Sequence, residues 1–285
     1  MAKTSEDVDS QGVLYLVGTP IGNLDDITFR AIKILKTVDL IAAEDTRHTG
    51  KLLAHFEIKT PQVSYYEHNQ NLRIPELISA LAQGKSIALV SDAGMPGISD
   101  PGYELVCECI KSNIQVTPIP GVSASITGLV VSGFSTERFV FEGFLPSSNK
   151  ERKESLQFIK EENRTIILYE APHRLLNTLN DLLEVLGETR NIAIARELTK
   201  LHEELWRGNL KEAIESYQDR QPRGEYTLIV QGNIAQEAKI LTVEELKREL
   251  KQLIESGMTR SKASQHLAQV TTFSRQYLYK LTLDM

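Results

Sequence analysis

The chain is poor in cysteine and tryptophan, has no long apolar run and carries no surplus of positive charge. Its two cysteines, Cys107 and Cys109, fall two apart within the helical pattern Tyr103 to Lys111, hence on different faces of a helix. A C-x-C spacing of this kind fits neither a zinc site nor a disulfide framework, so a reduced, cytoplasmic protein is expected. No apolar stretch approaches the ~20 residues that span a bilayer. A net charge of −6 and a pI of about 5.6 give nucleic acid no bulk attraction, so any RNA site must be local. The six histidines have no H-x-x-x-H partner, and no metal is expected. No G-x-G-x-x-G occurs, which removes the usual dinucleotide loop. Gly84-Lys85-Ser86 is not a P-loop either, because Ser79 stands where the motif needs glycine and the tripeptide precedes its strand. Residues 1–11 are polar without an apolar h-region and read as a disordered leader.

What the chain does have is a set of permissive loops. Val90 to Gly102 holds three glycines and two prolines directly after the apolar run Ile87 to Val90. Its end, Asp100-Pro101, reads as a helix N-cap followed by proline at the first helical position. Val13 to Val17 runs into a second such loop, Gly18 to Asp26, which closes on an acidic helix start at Asp25 and Asp26. Ile114 to Ile119 ends in a third, Pro120 to Ala124, followed by a helix of small residues. Any one of these is an ordinary strand-to-helix turn. Three together predict a ligand cradle at the strand ends of an open α/β sheet. Glu44 and Asp45 follow the strand Leu40 to Ala43, where a Rossmann enzyme keeps its ribose-binding acid, and so a class I nucleotide reading stays open.

At 285 residues and 41% hydrophobic content, the chain can bury the cores of two domains and an extra piece. From residue 12 to 135, short apolar runs alternate with helical ones: strands at Leu40 to Ala43, Gln62 to Tyr65, Ile87 to Val90 and Ile114 to Pro118, helices at Ile27 to Val38 and Ile74 to Ala82. This predicts a parallel-rich sheet. A second α/β domain is expected over 136–234, opening with the strand Phe139 to Phe144 and a polar joint, Leu145 to Lys153. Its strands read as Thr165 to Tyr169, Ile192 to Ala195, Glu204 to Trp206 and Tyr226 to Val230, its helices as Arg174 to Leu186 and Leu210 to Tyr217. Residues 240–285 differ in character. Val243 to Glu255 is a charged amphipathic helix, and from Gly257 to Leu283 there are four basic residues, Arg260, Lys262, Arg275 and Lys280, with no acid. Thr259 and Ser274 are placed to cap two short helices in a helix-turn-helix pattern; a small docking bundle with a solvated basic face remains the alternative.

Five segments carry a resemblance over nearly the whole chain: Gly18-Thr-Pro-Ile-Gly-Asn-Leu24, Ala42 to Gly50, Ser91-Asp-Ala-Gly94, Tyr169-Glu-Ala-Pro-His-Arg174 and Ala195-Arg-Glu-Leu-Thr-Lys200. They are similar to the ribosomal RNA small subunit methyltransferase I family, within the class III tetrapyrrole methylase superfamily. Met95 departs from it, standing where the family more often has threonine. The resemblance implies an α/β fold of two αβα domains with the cofactor cleft between them, plus a small C-terminal helical domain. It implies S-adenosyl-L-methionine as cofactor, held by Gly18, Thr19, Pro20, Asp92, Ala93, Gly94, Met95, Ile98, Ser123, Ala124 and Tyr169. The implied reaction is 2′-O-methylation of a cytidine ribose in 16S ribosomal RNA, or in the assembled small subunit, by a homodimer.

In-line transfer to a hydroxyl rewards fixed alignment, which can supply roughly 7–11 kcal/mol of the barrier. A general base would assist; Asp45, His48, Asp100 and Glu170 are the strand-end candidates. Arg47, His48, His173, Arg174 and Lys200 are the candidates for holding phosphates near the cleft, with Arg260, Lys262, Arg275 and Lys280 in the tail. Glu170, His173 and Arg174 equally well pair with each other as i,i+3 and i,i+4 neighbours. Two rivals stay open: a tetrapyrrole methyltransferase using the same body, and a non-enzymatic nucleic-acid-binding regulator working through the tail.

Overall fold

The computed structural model describes residues 12–233, 242–271 and 273–283. The leader expected at 1–11, and residues 240, 241, 272, 284 and 285 of the expected tail, lie outside them. The chain forms two compact units that part between Gln231 and Gly232.

The first unit holds two five-stranded sheets. One contains β1 (Val13–Val17), β2 (Leu40–Ala43), β3 (Gln62–Ser64), β4 (Ile87–Val90) and β5 (Gln115–Ile119), all parallel, in the order β3-β2-β4-β1-β5. Every residue of β4 is buried, as befits a parallel strand covered on both faces, which reads in sequence as an unbroken apolar run. On one face Val17, Ile41 and Val90 pack with Leu35 of α1 (Phe29–Thr37) and Leu53 of α2 (Thr46–His55). On the other, Leu14 and Leu89 pack with Leu77 and Leu81 of α3 (Gln70–Ala82) and Leu105 of α4 (Tyr103–Lys111). Burial of each such leucine contributes about 1.5–3 kcal/mol. Chain order reverses around the central strands β4 and β1, and a crevice therefore opens at their C-terminal tips.

The second sheet contains β6 (Phe139–Phe144), β7 (Thr165–Glu170), β8 (Asn191–Arg196), β9 (Glu204–Asn209) and β10 (Tyr226–Val230), ordered β6-β7-β10-β8-β9. Only β6 and β7 run parallel; the other pairings are antiparallel. Leu168 and Leu228 on one face meet Leu156 of α6 (Asn149–Glu161), Leu179 of α7 (Leu175–Leu186) and Ala213 of α8 (Leu210–Gln218). The opposite face, Ile167, Ala193 and Ile229, packs on Leu129 of α5 (Ala124–Ser132). Helix α5 leaves the first sheet and seats on the second, which ties the two layers together beside the crevice.

Three local expectations fail for physical reasons. Asp100 does not cap α4: Ser99 lies at φ 59°, and the N-cap falls on Gly102 at φ 151°, two residues later, which leaves the Asp100 carboxyl free of the helix. Asp25 and Asp26 close only a 3₁₀ turn, and α1 starts after Thr28, whose hydroxyl accepts from Ala31 N–H at 3.0 Å. The polar joint at 145–153 already contains the first turn of α6, whose apolar stripe, Leu156 and Ile159, lies further on than the polar opening suggests.

The second unit is a three-helix bundle of α9 (Val243–Glu255), α10 (Arg260–Val270) and α11 (Arg275–Leu281) around Leu246, Leu250, Ala263, Leu267 and Leu278. Thr242 and Glu245 form a capping box on α9, of the kind worth roughly 1 kcal/mol. Thr259 and Ser274 cap α10 and α11.

Candidate active site

The tips of β1, β2, β4 and β5 are sewn together by main-chain contacts. Thr19 N–H donates to the Gly94 carbonyl at 2.9 Å and Gly94 N–H returns a bond to the Thr19 carbonyl at 3.1 Å. The Thr19 hydroxyl also donates to the Ser91 carbonyl at 3.2 Å. Gly18 lies against Gly121, so close that a Cβ on Gly18 would stand 2.7 Å from Gly121 Cα. From β2, Glu44 accepts Asp92 N–H at 3.2 Å, while Asp92 accepts Asp45 N–H at 3.1 Å. The loop Asp92 to Met95 is thereby held as a fixed rim.

Behind this rim lies a cavity of about 420 Å³, reaching across to the second sheet. Asp92, Ala93, Gly94, Met95, Ile98, Ser123, Ala124 and Tyr169 all line it, as do Asp100 and Glu170. The Tyr169 hydroxyl accepts Ser125 N–H at 3.1 Å, and its ring meets Phe141 edge-on at 4.9 Å and Phe144 at 5.7 Å. The ring is thus held by β6 of its own sheet and its hydroxyl by the start of α5. Among the described residues, the lining contains no lysine, arginine or histidine but does include Glu44, Asp92, Asp100 and Glu225. Burial, with the Glu44 charge adding to it, pushes the Asp100 carboxyl up to about 7, against an opposing hydrogen bond from Ser91. Burial raises Glu44 as well. Such a cavity repels phosphate and favours a cation.

A second cavity of about 490 Å³ adjoins it, sharing Ile21, Asp92, Ala93 and Glu225. Thr19 and Pro20 line this one, with His48, Lys51 and Lys200. Lys200 sits between Glu197 at 2.9 Å and Glu225 at 2.8 Å. Burial opposes its charge, but these hydrogen bonds leave its ammonium above the ordinary value.

Several other residues singled out in the sequence are already engaged by partners. Asp45 caps α2 and pairs with Arg47 at 2.8 Å, and the Arg47 hydrogen bonds hold its carboxyl far below the usual carboxylate range. Glu170 is buried and committed: it accepts the Thr178 hydroxyl and Ala171 N–H, and Arg174 Nε lies 3.3 Å away. Arg174 also donates to the Leu145 carbonyl, so the pairing alternative describes both residues. His173 is exposed and lines neither cavity. Gly18 serves the stitching of the tips and lines neither of these two cavities. Arg260, Lys262, Arg275 and Lys280 belong to the helical unit. Sequence reasoning missed Lys51 as a lining residue; a mid-helix lysine carries no motif.

A family model described as Tetrapyrrole (Corrin/Porphyrin) Methylases matches residues 13–214. The ribosomal RNA small subunit methyltransferase I of Synechocystis sp. is 55% identical over 274 residues, 96% of this chain and 98% of its own. The chain belongs to that methyltransferase family. Its relative of the same name in Escherichia coli O157:H7 is 45% identical over 97% of this chain and 96% of its own. The Thermotoga maritima one is 52% identical over 221 residues, which make up 99% of its own length but 78% of this chain. Among solved structures, the methyltransferase CobJ superposes with a TM-score of 0.60 at 17% identity, covering 78% of this chain and 95% of that one. Uroporphyrin-III C-methyltransferase from Thermus thermophilus, solved with S-adenosylhomocysteine, gives 0.57 at 18%, covering 77% and 97%. At these identities the likeness is one of fold, and it extends the family's two-sheet body to the tetrapyrrole methylases.

Proposed function

We propose that this protein uses S-adenosylmethionine to methylate the ribose 2′-oxygen of a cytidine in small-subunit ribosomal RNA. The observation that carries the reading is the acid-lined cavity at the strand tips of a chain of this family, free of basic side chains among the described residues. The cofactor supplies a methyl group on a sulfonium and bears an ammonium besides. Glu44, Asp92 and Asp100 suit those charges, and Tyr169, Phe144, Met95 and Ile98 suit the adenine. Ala93 and Gly94 bring bare main chain to it, with Ser123 and Ala124 at the start of α5. The adjoining cavity, entered past His48 and Lys51, suits the acceptor nucleotide, and the shared residues Asp92 and Ala93 mark where donor and acceptor meet. Asp100 and His48 remain the candidates for the proton; Asp45 and Glu170 already have partners.

The protein works on RNA in the cytoplasm, as a homodimer in this reading. The apolar side chains Ile126, Val130 and Val131, exposed on α5, support the pairing. Calorimetry with S-adenosylmethionine tests the cofactor: saturable binding is expected, and its absence overturns the enzyme reading. Mapping of ribose methylation on ribosomal RNA from cells lacking the protein tests the substrate. Loss of a methylated cytidine is expected, and an unchanged map refutes the acceptor.

A further inference from the structure

We infer that the helical unit carries a separate binding site for the phosphodiester backbone of RNA, in a groove of about 550 Å³ between one face of α9 and the start of α10. This rests on the reading of RNA as substrate. Lys247, Arg248 and Lys251 line the α9 side, one turn apart as i,i+3 and i,i+4 neighbours, and Arg260 lines the other; Glu244 and Glu255 also line the groove, so four bases there outweigh two acids. The groove is distinct from the basic residues that the sequence pattern singled out, of which only Arg260 takes part.

Three observations point to a polyanion. Among the described residues, no ion pair involves Lys247, Arg248 or Arg260, and Lys251 reaches Glu255 only at 3.9 Å on an open surface. Charge is segregated along the chain: residues 242–283 contain seven Lys and Arg against four Asp and Glu, a net +3, within a protein of net −6. Helix α9 opens with Glu244 and Glu245, as the helix dipole favours, but α10 opens with Arg260 and Lys262 and has no acid in its first turn. A cation at that end weakens the helix unless an anion lies against it. Lysines and arginines directed at phosphates give affinity without reading bases, which fits a device that holds RNA while the body selects the nucleotide.

The test uses the full chain and a fragment of small-subunit ribosomal RNA. The triple variant Lys247→Gln, Arg248→Gln, Lys251→Gln keeps good helix formers and removes three charges. Its affinity for the RNA should fall about tenfold at physiological salt, and the slope of log Kd against log salt should become shallower by about two, near 0.7 per single-strand phosphate contact. Affinity for S-adenosylmethionine should not change. A control with Lys150→Gln, Lys153→Gln and Lys160→Gln on exposed α6 should bind RNA like the parent. Should the triple variant lose helix content by circular dichroism, Arg260→Gln, on the exposed first residue of α10, takes its place with a slope change below one. An unaltered slope and affinity overturn the groove, as does an equal loss in the control. Displacement of RNA by a polyglutamate peptide at equal charge concentration would assign the groove to acidic proteins instead and overturn it too. A parent protein that binds cofactor but no RNA would refute the substrate reading itself, whereas parent binding with an indifferent variant refutes the groove alone.

Discussion

Gly18 and Gly121 lie back to back: a Cβ on Gly121 would stand 2.8 Å from Gly18 Cα, and its three nearest neighbours are all main-chain atoms of Gly18. The contact joins the tips of β1 and β5 and sets the width of the crevice. Gly121→Ala should therefore destabilise the protein by about 1–3 kcal/mol and weaken cofactor binding by spreading the tips. Thermal melting and calorimetry check this, and a variant that melts and binds like the parent would show that the tips can part freely.

Asp100 ties stability to pH. Its carboxyl sits at about 7 in the fold against an ordinary 3.8. The raised value favours the folded state below the ordinary value, and that advantage is lost as pH rises through about 7. Asp100→Asn should melt higher than the parent at about pH 8 and like it at about pH 4. Because a cation stabilises the ionised carboxyl, parent affinity for S-adenosylmethionine should climb between about pH 6 and pH 8, while the variant's stays flat. A parallel climb in the variant would dissociate Asp100 from the cofactor.

Tyr169→Phe removes the acceptor for Ser125 N–H and keeps the ring against Phe141 and Phe144. A stability loss of about 1 kcal/mol is expected, with a severalfold weaker cofactor affinity because the start of α5 loses its anchor. Unchanged affinity would mean that the hydroxyl does not position the lining of the cavity.

Glu170 should behave as a folding residue. Glu170→Ala strands the Arg174 guanidinium in a partly buried site and should cost about 3–5 kcal/mol. Glu170→Gln should fold and leave the pH–rate profile of methyl transfer in place. Loss of the acidic limb of that profile in Glu170→Gln would restore the carboxylate as general base.

Much of the architecture is legible because its signals are local. Strands β1, β2, β4, β6 and β10 begin and end where their apolar runs do, and α9 begins after its Thr242 cap. The loops at Gly18, Asp92 and Pro120 stand out through glycine and proline alone, and the side chains that line the larger part of the crevice follow from them. Less visible were α2 and α6, whose apolar stripes hide behind polar openings, and the commitments of Asp45, Arg47, Glu170 and Arg174, which depend on partners at the ends of other elements.

By itself the sequence determined the alternation of strands and helices, the three glycine- and proline-bearing turns and the family, because periodicity and turn chemistry act within a few neighbouring residues. Tertiary structure alone decided which acids gather around Asp100, that Lys200 is neutralised by Glu197 and Glu225, and that α9 completes the basic groove. Those outcomes depend on distances between residues far apart in the chain, and only the closed backbone sets them.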